Sequence, residues 1–156
     1  MKIFNKIITF FFIFLITSCA EYKINKKSSE VEKKLQQHLN FSNFRGIRQI
    51  LKFDKNNTKA SQAKIDYLNQ DVWLKNISLL QKYNLSFDLL ILVSQTENAI
   101  KLIKKYPNIL FIINHALSPL KFDNESLEDW RKKIKLLSDH ENIIIKRKDD
   151  CYLNSI

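Results

Sequence analysis

The sequence predicts an α/β fold built on a parallel sheet of about four strands, and three observations carry that prediction. Apolar runs of strand length alternate with segments whose apolar residues recur every three or four positions, a rhythm that calls for right-handed crossovers. The run Ile109 to Ile113 is unbroken and rich in β-branched and aromatic residues, as a strand buried on both faces should be. It stops abruptly at Asn114 and His115, so a buried strand delivers an imidazole into the loop that reaches Pro119. Catalytic groups in α/β enzymes are presented this way. A histidine that only hydrogen-bonds at a strand end is the alternative reading.

Composition sets the frame. The chain has 156 residues, 45% of them hydrophobic and 27% charged, which calls for a folded core and argues against global disorder. A single glycine and two prolines leave Asn and Asp to supply the turns that need positive φ. The formal charge of +10 would suit an anionic partner, but the lysines are interleaved with acids and no nucleic-acid motif is present. The charge therefore reads as a solvated surface, and no nucleic-acid partner is expected.

Residues 1–18 have the parts of a bacterial export signal: Lys2 and Lys6, an apolar run from Ile7 to Ile16, then small polar residues. Ile16-Thr17-Ser18-Cys19 resembles a lipobox, in which the cysteine is lipidated before cleavage. Lipidated Cys19 would hold the protein at a membrane, since two or more acyl chains exceed the marginal hold of one. If the segment is not a working signal, the expected location is cytoplasmic. Residues 19–29 read as a polar, lysine-rich tether.

The body, residues 30–146, follows in order. Val31, Leu35 and Leu39 mark a first helix from Glu30. Phe44 to Leu51 carries the lone glycine, Gly46, and alternation there sends Arg48 to the face opposite Ile47 and Gln49. Residues 52–70 are asparagine-rich and read as a polar loop. Asp71 caps a helix through about Tyr83, with Trp73, Ile77 and Leu80 inward. Leu85 to Val93 is the next strand, interrupted by Asp88, an expensive residue there unless it is paired or faces a polar cavity. Thr96 caps a helix that Pro107 closes; after the strand at Ile109, Asn124 or Ser126 starts a helix with Leu127, Trp130, Ile134 and Leu137. Asn142 to Lys146 is the last strand, and residues 147–156 form a divergent tail.

Taken together, Phe44-Arg45-Gly46-Ile47-Arg48, Leu85-Ser86-Phe87-Asp88-Leu89, Tyr106-Pro107-Asn108, Ile112-Ile113-Asn114-His115-Ala116 and Glu141 to Lys146 resemble, in order and spacing, the amidohydrolase-related family of TIM-barrel hydrolases. The likeness extends to sugar lactonases similar to fuconolactonase and to hydrolases of pyrone dicarboxylic lactones. It implies a partial (β/α)8 barrel that opens cyclic esters with water at its carboxyl-terminal face. It makes His115 the catalytic strand histidine, Arg48 and Lys146 substrate-binding residues, and Asp88 a strand acid of the same pattern. The departures are specific. The family's initial His-x-His pair and its final strand aspartate, the base expected to activate water, have no counterpart, and Leu117 stands where a glycine is usual. Relatives in the wider superfamily bind divalent metal, but a lone strand-end His115 supplies too few ligands for a tight site, so none is assigned.

The resulting expectation is a truncated hydrolase acting on a lactone or ester, with little or no turnover alone. Its exposed strand edges imply self-association. Two alternatives stand beside it: a membrane-tethered binding lipoprotein without chemistry, and the remnant of a broken gene.

Overall fold

The structure is a computed structural model that describes residues 27–117 and 119–146. The signal segment, Cys19, most of the tether and the tail lie outside these residues. Four helices alternate with four strands: α1 (Ser28–Leu39), β1 (Gly46–Ile50), α2 (Asp71–Lys82), β2 (Ser86–Leu90), α3 (Thr96–Lys105), β3 (Phe111–Ile113), α4 (Asn124–Ser138) and β4 (Ile143–Ile145). The strands form one parallel sheet in the order β1-β2-β3-β4. Each strand therefore lies beside its successor in sequence, the order in which a β/α barrel is laid down.

The alternation of each strand separates core from site. Gln49, Phe87, Leu89, Phe111 and Ile113 are buried toward the helices. A chain of tilted and edge-on aromatic contacts, Tyr67 to Trp73 to Phe87 to Phe111, crosses this side with centroids 6.3, 5.7 and 6.4 Å apart. Val31, Leu35, Ile77, Leu80, Ala99, Ile103 and Leu137 close the same core from the four helices. Trp73 Nε1 donates to Gln49 Oε1 at 2.9 Å, so the largest core side chain meets a buried polar partner.

The other face carries Arg48, Asp88, Ile112 and Ile144, which stand in one register across the four strands. Gly46 begins the inner face of β1 because a Cβ there would collide with Oγ and the carbonyl of Ser86 on β2. The lone glycine thus serves close strand approach and not a turn.

Several boundaries differ from the sequence reading. Asp71 and Thr96 are the first residues of their helices and not side-chain caps; the Thr96 hydroxyl instead donates to the Val93 carbonyl at 2.7 Å. The cap of α4 is Asp123, whose carboxylate accepts from the Ser126 N–H at 2.8 Å. That bond holds the Asp123 carboxyl below its ordinary range, which also suits the positive end of a helix dipole. The stretch 52–70 is not uniformly polar in role: Ala63, Tyr67 and Leu68 are buried, and Tyr67–Asn69 forms a turn of 3-10 helix.

β2 ends at Leu90, earlier than its apolar run. The buried Gln95 carboxamide explains this, because Oε1 accepts from Leu92 N–H and Phe53 N–H at 3.0 and 3.2 Å while Nε2 donates to Leu51 O at 2.9 Å. Those bonds satisfy backbone groups that a longer ladder would otherwise occupy. Asn84, with φ of 51°, ends α2 as an asparagine doing a glycine's work.

Candidate functional site at the carboxyl end of the sheet

Arg48 and Asp88 are register partners on adjacent strands and point to the face away from the helices. Arg48 donates from Nε at 2.9 Å and from Nη2 at 2.7 Å, both to Oδ2 of Asp88. Nη2 also donates to Asn114 Oδ1 at 3.3 Å. The acid that interrupted an apolar run is therefore paired, and one guanidinium ties β1, β2 and the end of β3. With side chains 32% and 20% exposed, the ion pair is half-buried, where attraction exceeds that of a surface pair and desolvation is only partial. Arg48 Nη1 and Asp88 Oδ1 take no part in the pair.

Asn114 is 3% exposed, and among the described residues its Nδ2 has no hydrogen-bond partner. Sequence reading passed over this residue in favour of its neighbour. The available signal was parity: Ile112 and Asn114 alternate onto the same face as Asp88.

His115 lies just beyond, in a left-handed turn with φ 53° and ψ 29°; Ala116 and Leu117 follow at φ 45° and 64°. Glycine scarcity predicted Asn or Asp at positions of positive φ; Asn84 fits that expectation, and His115, Ala116 and Leu117 depart from it. Contacts on both sides hold the turn. Ala116 N–H donates to the Lys146 carbonyl at 2.9 Å, Trp130 Nε1 donates to the Ala116 carbonyl at 2.7 Å, and Leu117 is fully buried. Lys146 N–H donates in turn to Ile113 O at 2.9 Å.

The backbone of Lys146 thus bonds to Ile113 and Ala116, which flank Asn114 and His115. Lys52, one step past β1 on the parity of Arg48 and Ile50, is a further basic residue at this end, and burial pushes its ammonium below the ordinary lysine value. The sequence reading had placed it in a polar loop.

The arrangement offers a guanidinium and a buried amide in one network on the inner face of the sheet. Among the described residues no three His, Cys, Asp or Glu side chains come together. A cleft of about 170 Å³ bounded by Leu68, Leu74, Leu102, Lys101 and Lys105 lies on the helical side and is separate from this cluster. Among the described residues no helix is long and apolar enough to cross a membrane.

Comparison with known proteins agrees with this fold. No family model matches the chain. An uncharacterised protein, y4mH of Sinorhizobium fredii, is 30% identical over 113 residues, which cover 72% of this chain and 37% of that protein. An amidohydrolase of Burkholderia multivorans crystallised with bound HEPES superposes with a TM-score of 0.59 at 13% identity, covering 79% of this chain and 41% of its own. A crystal form of a Burkholderia multivorans amidohydrolase with bound zinc gives 0.57 at 16% identity, covering 72% and 38%. The chain spans about two fifths of the length of these proteins. Four consecutive strand units, with a polar cluster on their inner face, therefore form a partial TIM-barrel-like sheet, similar in fold to these amidohydrolases.

Proposed function

We propose that this partial barrel binds a small lactone or related ester at the carboxyl end of its strands, as a hydrolase-type pocket with little turnover by itself. The observation that carries the reading is the Arg48, Asp88 and Asn114 network across three elements on the inner face. Asp88 holds the guanidinium in a fixed orientation, which leaves Nη1 to donate to a carbonyl or carboxylate oxygen. His115, at the end of β3, would polarise the same carbonyl, and Lys146 would add positive charge at the mouth. Hydrolysis also needs a base to activate water. No such base is identified in this cluster, whose one carboxylate, Asp88, is held by Arg48.

Titration of the purified chain with a panel of five- and six-membered lactones and their hydroxy acids tests this. Binding is expected to weaken about 10- to 100-fold in Arg48→Met, the loss of one charge-assisted contact of roughly 1.5–3 kcal/mol. Absence of binding, or binding indifferent to Arg48, refutes the pocket. Fast hydrolysis abolished by His115→Ala refutes the low-turnover part alone.

A second reading rests on Ile16-Thr17-Ser18-Cys19: a lipidated, membrane-tethered binding protein using the same pocket without chemistry. Mass spectrometry of the processed amino terminus tests it, and an unmodified Cys19 in the mature protein removes the tether.

A further inference from the structure

The cleft of about 170 Å³ on the helical side of the sheet is built where three elements meet. These are the 3-10 turn Tyr67–Asn69, the start of α2 and the length of α3. Its floor is apolar: Leu68 and Leu102 are 4% and 2% exposed, and Leu74 is partly buried beside them. The Tyr106 hydroxyl donates to the Leu74 carbonyl at 2.7 Å and ties α2 to the end of α3. The floor is therefore preformed, because closing it would require packed leucines and a bonded backbone to move.

The rim is basic. Asn98, Lys101, Leu102 and Lys105 recur at helical spacing along α3, so two lysines one turn apart line the same opening. Lys105 lies in the last turn, where the negative end of the helix dipole accounts for a cation. Lys101 is in mid-helix, and the dipole gives no reason for it. Among the described residues neither lysine forms an ion pair. Glu97, one turn before Lys101, accepts instead from Lys133 Nζ at 2.8 Å, and Asp66 accepts from Asn69 Nδ2 at 2.6 Å.

We propose that this cleft binds a small amphiphilic carboxylate, with its apolar body on Leu68, Leu74 and Leu102 and its head group between Lys101 and Lys105. Size sets the body: an apolar cavity of about 150 Å³ holds one benzene ring, so a ring or a chain of about six carbons fills this one. Charge sets the head group, since two ammonium donors favour an ionised acceptor over a neutral one. The site lies apart from the Arg48 cluster, and the inference does not rest on ligand binding there.

Titration of the isotope-labelled full chain with benzoate, followed through its assigned amide signals, is the test. Saturable shifts are expected at Leu68, Leu74 and Leu102. Benzyl alcohol, the same ring without the charge, should bind about 10-fold more weakly. Lys101→Gln combined with Lys105→Gln should weaken benzoate about 10-fold with the fold unchanged by circular dichroism, because both side chains are exposed. Arg48→Met should leave benzoate binding as it is. Absence of saturable shifts at the three leucines overturns the proposal, as does binding that is indifferent to the two lysines or equally tight for the alcohol. Binding lost in Arg48→Met would place benzoate at the other site and also overturns it. So do signals that move with protein concentration and not with benzoate, which would mark a contact between copies.

Discussion

Replacing Leu117 by glycine puts two opposing effects at one backbone position. Leu117 has a φ of 64°, where an L-residue is disfavoured by about 1–2 kcal/mol, and glycine would remove that strain. Its side chain is also fully buried in the core. Truncating a buried leucine to alanine loses about 2.7–5 kcal/mol, and glycine adds roughly 0.5–1 kcal/mol through the freer unfolded chain. Burial should therefore win, leaving Leu117→Gly about 2–4 kcal/mol less stable than wild type. The adjacent Ala116 reverses the balance. It has a φ of 45° and is only partly buried, and both its tertiary bonds, to Lys146 and Trp130, come from its backbone. Ala116→Gly should gain about 0.5–1 kcal/mol once strain relief is set against chain entropy. Urea unfolding followed by circular dichroism, extrapolated linearly to water, measures both. Leu117→Gly at or above wild-type stability would refute the claim that the side chain, and not the backbone, decides this position.

Further expectations follow from other contacts. Gly46→Ala should destabilise by about 3 kcal/mol, because the new methyl meets the carbonyl of Ser86 and rigid strands cannot both yield; a loss under 1 kcal/mol in the same urea assay would mean that they part easily. A double-mutant cycle over Arg48→Met and Asp88→Ala should give a coupling of about 1–2 kcal/mol, more than an exposed pair, and a value near zero would show the pair to be solvated. Lys82 and Tyr83 donate to Glu32 and hold its carboxyl below the ordinary 4.5. That tie between α1 and α2 is complete above pH 4.5 and is lost as pH falls through the lowered value, so Glu32→Gln should flatten the acid limb of a stability-versus-pH curve. An unchanged limb would count against it.

The fold was more legible than the site. All four strands and four helices are marked by period and run length, because burying a sheet between helices and an inner face forces those patterns on the sequence. Ends were harder. The early stop of β2 depends on Gln95, whose carboxamide competes for backbone groups more than forty positions away, and no local pattern announces such a bond. Arg48 and Asp88 could each be singled out, one by alternation and one by its cost in an apolar run. Their pairing became visible only when register set β1 beside β2. Asn114 was hidden by the more reactive His115, although parity placed it on the inner face.

The order of the strands also bears on how the chain acquires its structure during synthesis. Arg48 finds Asp88, Asp88 then finds Ile112, and Ile112 finds Ile144, always with the partner that has just emerged. No ladder has to open to admit a later strand, and no segment must wait for a distant terminus before it can be covered on one side. Vectorial folding, one strand-and-helix unit at a time, is therefore available to this sequence, with each completed unit serving as the template for the next.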